Sequence, residues 1–561
     1  MNKKKLTAVV APVLAVSMAL TACSGGGEKT GGTTKKEETK SEGKLASKQV
    51  INLIENQEIP SMDSSIAKDS VSFIVLNNVM EGLYRLDKNN KAVPGVAEKY
   101  EKSEDGKKYT FKLRKDAKWS NGDPVTAKDF VFAWKRALDP ATKSEYAYIM
   151  FDVKNAQAIN EGKASPDTLG VKAIDDYTLE VELEQPVPYF LDLTSFATFY
   201  PLNEKFVKEQ GAKFGLEANT TLYNGPFVLS DWKHEQGWQY KKNDKYWDNK
   251  TVKLTEINVS VVKDLGARVN LYEAGDADRV ILASEFVDKY KSNPEFATEK
   301  DVSVFFLRLN QKRNGKDTPL ANVNARKAIS MAFDKKGLTG VILNDGSTPA
   351  DFLVPAEFVT GPDGKDFRKI NGNMNGTDLK KAKEYWEKAK KELGTDKVTL
   401  ELLNYDTDTA KKVGEFLKDQ LEKNLPGLTV NIKQQPFKQK LDLETKMDYD
   451  FSYAGWGPDY PDPMTFLDMF VTGNSHNEMS YSNPEFDKLI KDGKTTLLTD
   501  PKARWEALAK AEKILIEKDT AIAPIYQRGW AYVQRENVKD IYTHTFGGEY
   551  SYKWTYVEEK K

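Results

Sequence analysis

The chain has one cysteine and three histidines in 561 residues. It cannot build a disulfide framework, and the usual zinc sets of Cys and His are out of reach. It also lacks a charge excess: 83 Lys plus Arg face 84 Asp plus Glu. Nucleic acid normally calls for a strongly basic surface, so the charge balance argues against it as the main partner. No apolar run approaches the roughly 20 residues that a membrane-spanning helix needs. Catalytic signatures are missing as well: there is no Gly-x-Ser-x-Gly elbow, no His-Glu-x-x-His helix and no Walker loop. His234, His476 and His544 are scattered, have no nucleophile at a recognisable spacing, and read as surface or packing residues. Charged residues are so abundant that no carboxylate pair stands out for acid–base work. These absences point away from an enzyme, a metal site and a bound cofactor.

What is present begins at the N-terminus. Lys3, Lys4 and Lys5 precede an apolar stretch of 15 residues, 6–20, too short to span and suited to a secretory signal. It ends Leu20-Thr21-Ala22-Cys23, which resembles the bacterial lipoprotein lipobox, with the only cysteine as lipid acceptor. Two or more acyl chains anchor a protein stably where one is marginal. Residues 1–22 are thus expected to be the signal and 23–47, rich in Gly, Thr, Lys, Glu and Ser, a flexible tether. The body then works outside the membrane, close to its surface.

The body, 39% hydrophobic and 30% charged over the whole chain, reads as globular and mixed α/β. Residues 49–53, 109–114 and 179–183 read as strands. Thr126 is a candidate N-cap with Asp129 at N3, Val125 can staple onto Phe130, and Phe130, Trp134 and Leu138 share one helix face. Asp139-Pro140 stops that helix. In the second half strands alternate with helices: a helix capped by Thr377 with Leu379, Ala382, Trp386, Ala389 and Leu393 on one side and Gly394 at its end, then strand 398–403, helix 411–424, strand 428–432 and strand 450–455. That alternation suggests crossover units on a mixed sheet. Asn371 to Gly376 copies the start of an EF-hand loop, but the position needing the bidentate Glu is Ala382, so it reads as a polar turn.

One strip stands apart: Tyr453-Ala454-Gly455-Trp456-Gly457-Pro458-Asp459-Tyr460-Pro461-Asp462-Pro463. It follows an expected strand, where lobed α/β proteins place ligands. Gly455 and Gly457 permit close backbone approach, Trp456 offers a flat apolar surface, and Asp459 presents a carboxylate between prolines. A rigid turn around a core Trp would read the same way.

Further motifs follow one another along the body: Met80-Glu81-Gly82-Leu83, Pro94-Gly95-Val96-Ala97, residues 117–130 around Trp119-Ser120-Asn121-Gly122-Asp123, Pro186-Val187-Pro188-Tyr189-Phe190, Tyr223-Asn224-Gly225-Pro226-Phe227 and Tyr246-Trp247. In this order, behind a lipobox and ending in the 454–463 strip, they resemble the extracytoplasmic oligopeptide-binding proteins of ABC importers. The resemblance covers about residues 50–556. It implies a two-lobed, periplasmic-binding-protein-like α/β fold of the large class: a first lobe at 48–303 with an extra subdomain about 82–200, a second lobe at 304–530, and a return to the first lobe at 531–561. It implies a cleft that closes on an extended peptide. Asp459 matches the aspartate that binds the peptide's α-ammonium. Gly455, Trp456 and Gly457 match the backbone segment that pairs with the peptide, with Trp456 also lining a side-chain pocket. Lys68-Asp69-Ser70 looks like the facing strand of the first lobe.

The resemblance therefore implies a monomeric, lipid-anchored receptor on the outer face of the cell membrane, passing oligopeptides to an ABC permease and its ATPase. Backbone pairing would serve any sequence, and a carboxylate on the ammonium would fix register. Two departures bear on this. The arginine that some relatives carry just before the strip is Tyr453 here, and the cleft disulfide of some members cannot form. The same fold also serves dipeptide, nickel, haem and signalling-peptide receptors; a secreted hydrolase and a cell-surface adhesin are readings from other classes.

Overall fold

The computed structural model describes residues 43–560. The signal segment, Cys23 and most of the expected tether lie outside these residues. Residues 44–47, expected within the tether, are instead fastened to the C-terminal segment: the Ala46 N–H donates to the Val557 carbonyl at 2.9 Å, and Lys44 pairs with Glu559 at 2.8 Å. Among the described residues no helix is long and apolar enough to cross a membrane.

Three larger sheets organise the chain. The first contains β1 (Val50–Glu55), and the second is an antiparallel sheet of β2 (Ala97–Lys102), β3 (Lys108–Leu113), β4 (Val171–Asp175) and β5 (Thr178–Glu182), in the order β2-β3-β5-β4. In β3 the buried Tyr109, Phe111 and Leu113 alternate with outward residues, as a half-buried strand requires. Helix α1 (Ser70–Val79) follows β1, and α2 (Ala127–Leu138) packs beside β4. The first sheet is completed by β6 (Phe227–Lys233), β7 (Gly237–Lys242) and β8 (Glu256–Val261) in the order β1-β8-β7-β6, with β1 parallel to β8.

Helix α2 starts where its sequence says. The Asp129 carboxylate accepts the Thr126 N–H at 2.7 Å and the Trp119 indole N–H at 3.4 Å, so the cap also ties down the Trp119 stretch. Phe130, Trp134 and Leu138 are fully buried on one face, and Asp139 ends the helix before Pro140. The Trp119 motif is therefore a scaffold element.

The third sheet has seven strands. After α3 (Leu265–Ala274) come β9 (Arg279–Leu282) and the long β10 (Phe296–Leu309), then α4 (Val323–Met331) and α5 (Leu379–Leu393). The N-cap of α5 is Asp378, which accepts the Lys381 N–H at 3.0 Å. Thr377 was the expected cap, but its hydroxyl donates to the Phe333 carbonyl at 2.7 Å and is occupied. Leu379 consequently stands exposed while Ala382, Trp386 and Ala389 are buried. Next come β11 (Val398–Tyr405), α6 (Asp408–Asn424), β12 (Leu428–Gln435), α7 (Phe437–Thr445), β13 (Phe451–Trp456) and finally β14 (Ile522–Gln534). The order is β9-β14-β10-β13-β11-β12, with the short strand Thr348–Pro349 pairing on β14. The sheet does not keep to the expected boundaries: β9 and the first half of β10 join it from before residue 304, and β14 runs past residue 530. The reason is register. β9 and residues 296–300 of β10 both bond to β14, whose 13 residues are long enough to carry partners on both edges.

Both β12 and β13 are parallel to β11 and lie on opposite sides of it. The chain thus reverses its direction of travel across the sheet at β11, and such switch points leave a crevice at the carboxyl ends of the strands.

Candidate ligand-binding site

The structure holds such a crevice. Pairing of β13 with β11 is limited to Leu402–Phe451 and Leu403–Ser452, so from Tyr453 onward β13 has a partner only in β10. A cavity of about 380 Å³ opens there. Its floor is one face of the seven-stranded sheet, tiled by alternate residues: Tyr453 and Gly455, Ser303 and Phe305, Tyr526 and Arg528, Arg279 and Ile281. All of Lys68, Asp69, Ser70, Tyr453, Gly455, Trp456, Gly457 and Asp459 line this one cavity.

Their individual environments differ from a simple reading of the strip. A Cβ on Gly455 would lie 2.8 Å from the Phe305 ring, and one on Gly457 would lie 2.9 Å from the Ser303 hydroxyl. Both glycines are required first by packing within the floor. Phe305 stacks on Tyr526 (centroids 4.9 Å apart, 6° between planes), and the Tyr453 and Tyr526 hydroxyls are bonded at 2.5 Å. Tyr453 therefore supplies an aromatic patch to the floor. Trp456 donates its indole N–H to the Thr465 carbonyl at 3.0 Å and lies parallel to Tyr146, centroids 6.2 Å apart.

Asp459 is the unusual group. It is only 5% exposed. Its backbone N–H is held by the Thr465 hydroxyl at 3.0 Å, and one carboxylate oxygen accepts the Tyr146 hydroxyl at 3.3 Å. The other oxygen is buried with no hydrogen-bond partner among the described residues. Burial, followed by the nearby Asp468 carboxylate, pushes the Asp459 carboxyl well above its ordinary range. A carboxylate so placed lacks a cation, and a charge without a partner is costly in such surroundings.

The opposing segment is not a strand. Asp69 is extended (φ −135°, ψ 156°), but it is the N-cap of α1, and Ser70 already begins the helix. The Asp69 carboxylate accepts the Ser72 N–H and hydroxyl at 2.8 and 2.7 Å, which makes a cap where a facing strand was expected. Burial raises its pKa to about 6. Lys68 pairs with Glu145 at 2.7 Å and also bonds the Thr445 hydroxyl. These side chains are committed to the protein, and what the segment presents to the cavity is the exposed Ser70 and backbone.

Several lining residues gave no sequence signal. Tyr146 comes from a short turn far from the strip. His476 packs edge-on against Tyr146, Tyr148 and Trp456, and burial holds it neutral, well below its ordinary pKa. His476 and His544, expected to be ordinary surface or packing residues, both line the cavity. Arg268, Arg279, Arg528 and Glu55 reach it from four separate elements, so local spacing could not have joined them. Among the described residues no cluster of three or more His, Cys, Asp and Glu side chains is placed to hold a metal.

Contacts join the segments on the two sides of the cavity: Tyr146 to Asp459, Lys68 to Thr445 and, outside the lining, Lys263 to Asp406 at 2.8 Å and Tyr189 stacked on Tyr460 with centroids 4.5 Å apart. The two walls are shut on each other.

Comparison with known proteins places this architecture. The substrate-binding domain of an oligopeptide ABC transporter from Bacillus anthracis superposes with a TM-score of 0.91 at 62% identity, covering 92% of this chain and 100% of that one. Listeria monocytogenes OppA bound to peptide gives 0.89 at 47% identity, again over 92% and 100%. The Bacillus subtilis dipeptide-binding protein DppE is 36% identical over 95% of this chain and 96% of its own length. The unliganded open form of the murein tripeptide-binding protein MppA matches at only 0.60, as expected when the fold is shared but the lobes stand apart. The fold is thus the two-lobed α/β architecture of extracytoplasmic binding proteins, here in its closed arrangement. The model for bacterial extracellular solute-binding proteins, family 5 (middle region), matches residues 91–478, and this chain belongs to that family.

Proposed function

We propose that this protein captures oligopeptides by their free amino end and hands them to an ABC permease at the cell membrane. The observation that carries the reading is the buried, unpartnered carboxylate oxygen of Asp459, a residue of the cavity lining. A peptide α-ammonium supplies the missing cation and donors. Beside it, the edge of β13 from Tyr453 to Trp456 has no strand partner on the β11 side, and an extended peptide can bond there in the manner of an added strand. Gly455, Trp456 and Gly457 offer that edge, Tyr453 and Trp456 offer apolar surface to side chains, and the Lys68–Ser70 segment closes the other wall. The relatives named for oligopeptides and dipeptides support a peptide ligand.

A dipeptide receptor is the second reading, favoured by the DppE relative. The cavity argues for longer ligands, because the unpaired edge of β13 runs from Tyr453 to Trp456 and the lining continues through Gly457 and Pro458 to Asp459. The lipobox at Cys23 supports attachment of the body to the outer face of the membrane, with the first lobe, its subdomain and the second lobe forming one monomeric receptor. Replacement of Cys23 by Ser is expected to release the protein or leave it uncleaved; unchanged detergent partitioning and mature mass would oppose the anchor.

The decisive test of the peptide reading is incubation of the purified protein with a mixed peptide pool, followed by native mass spectrometry. Intact peptides retained in complex are expected. Shortened products would indicate a hydrolase, and an empty protein would remove the reading.

A further inference from the structure

His476 sits where the two sides of the cavity meet. Its ring packs edge-on against Tyr146 (centroids 4.8 Å apart) and Tyr148 (5.3 Å) on one side, and against Trp456 (5.1 Å) on the other. The two sides are anchored separately. Tyr146 packs against Phe73 of α1 and against Phe196. The loop of His476 is held by Asn477, whose side-chain amide donates to the carbonyls of Phe470, Val471 and Tyr481. His476 is only 4% exposed, and the Tyr146 and Tyr148 rings contribute to that burial from the opposite side.

Hydrogen bonds fix the proton of this ring on one nitrogen. The Ser475 hydroxyl donates to the Glu145 carbonyl, so toward His476 Nδ1, 3.3 Å away, its oxygen is left to accept. Nδ1 therefore carries the hydrogen, and Nε2 is a buried lone pair with no partner among the described residues. A second proton would go to Nε2 and leave a buried cationic N–H without an acceptor, which is costly. The carboxylates around the ring do not offset that cost. Glu145 holds Lys68 at 2.7 Å, Glu478 pairs with Arg308 and stands 3.8 Å from Lys68, and Glu444 holds Lys440 at 2.7 Å. Asp69 caps α1, and Asp468 holds Lys494 at 2.7 Å. Asp459 meets Tyr146 at its hydroxyl and makes no bond to His476. Burial first, then the Arg308 and Lys68 charges, hold the imidazole well below its ordinary value of 6.5.

We propose that His476 makes closure of the cavity sensitive to pH: the two sides come together around the neutral ring, and protonation of the ring holds them apart. This rests on the peptide reading, in which the lobes shut on the ligand, and deepens it by naming a condition for shutting. When the sides part, Tyr146 and Tyr148 leave the ring, water reaches Nε2, and both protonation states are tolerated. Closing on a protonated ring must return that proton to solvent. The sign follows. Closure carries no penalty above the ordinary value of 6.5, and the penalty grows about tenfold per pH unit as pH falls below it toward the closed-state value. At pH 5.5 that amounts to a loss of about 10-fold in affinity.

The test uses the full protein with ring-labelled histidine. The chain has three histidines, and His476→Gln identifies the His476 signal in nuclear magnetic resonance spectra. That signal is expected to titrate near pH 6.5 in the empty protein and to stay neutral down to about pH 5 with a saturating alanine pentapeptide. Calorimetry with the same peptide at pH 8 and pH 5.5 gives the second readout. Wild-type affinity should fall about 10-fold more between these values than that of His476→Gln, because the Asp459 contribution is common to both proteins and cancels. His476→Phe keeps a ring that takes no proton, and it should match His476→Gln in this difference, whatever either substitution does to affinity at pH 8. A purely structural role would shift affinity equally at both pH values. A ring that titrates alike in both states, or in neither, overturns the proposal, as does an equal pH dependence in all three proteins. When peptide still binds at pH 8 in those cases, the peptide reading stands. If no peptide binds at all, the peptide reading itself fails and the pH dependence falls with it.

Discussion

At the scale of single residues, Asp459 trades stability for binding. Burial holds its carboxyl above the value of the unfolded chain, so the folded empty protein retains that proton more tightly than the unfolded one does. Stability belonging to the neutral form is present at low pH and is lost as pH rises above 3.8 and through the raised folded value. Asp459→Asn keeps the neutral shape at every pH. It should therefore raise the melting temperature of the empty protein at neutral pH, while weakening peptide binding by about 2–5 kcal/mol. Scanning fluorimetry and calorimetry check the two halves. The wild type should also bind more weakly, and release protons on binding, as pH falls through the raised value. The sequence showed Asp459 in its strip but not its buried surroundings, where Tyr146, more than 300 residues earlier, engages one carboxylate oxygen and the other is left without a partner. The arginines were illegible for the same reason.

Elements divide into those written locally and those set by tertiary context. Helix α2 is of the first kind, because Thr126, Asp129 and the Phe130–Trp134–Leu138 stripe are all adjacent in sequence. Asp129→Ala leaves the Thr126 and Trp119 donors without an acceptor and should destabilise the fold by about 1–3 kcal/mol. Peptide affinity measured on the folded fraction should not change, since Asp129 is not part of the cavity lining. The cap of α5 and the Lys68–Ser70 segment are of the second kind. Thr377 and Asp378 are both good caps, and only the Phe333 carbonyl decides between them. The glycines of the strip read correctly as positions of close approach, yet the approaching groups are Phe305 and Ser303. Gly455→Ala should thus displace the Phe305 ring, cost about 1–3 kcal/mol of stability by overpacking, and weaken peptide binding along with it. Thermal denaturation and calorimetry on one preparation would show both.

For the whole molecule, the seven-stranded sheet supplies the floor of the cavity and the switch at β11 supplies its opening. Strand alternation was legible, but the joining of β9 to β14 across some 250 residues was not, because pairing of distant strands leaves no periodic trace in either. Hinged closure is the expected motion of two lobes around a ligand. Small-angle scattering should give a smaller radius of gyration with peptide than without it; identical values would mean that the contacts of Tyr146, Lys68 and Lys263 between the two sides persist without ligand.

The central claim is that Asp459 receives a peptide's positive amino terminus. Calorimetry with one pentapeptide, free and N-acetylated, addresses it directly. The free peptide is expected to bind and the acetylated one to lose about 2–5 kcal/mol, with no such difference in Asp459→Asn. Equal affinity of the two peptides for the wild type would contradict it.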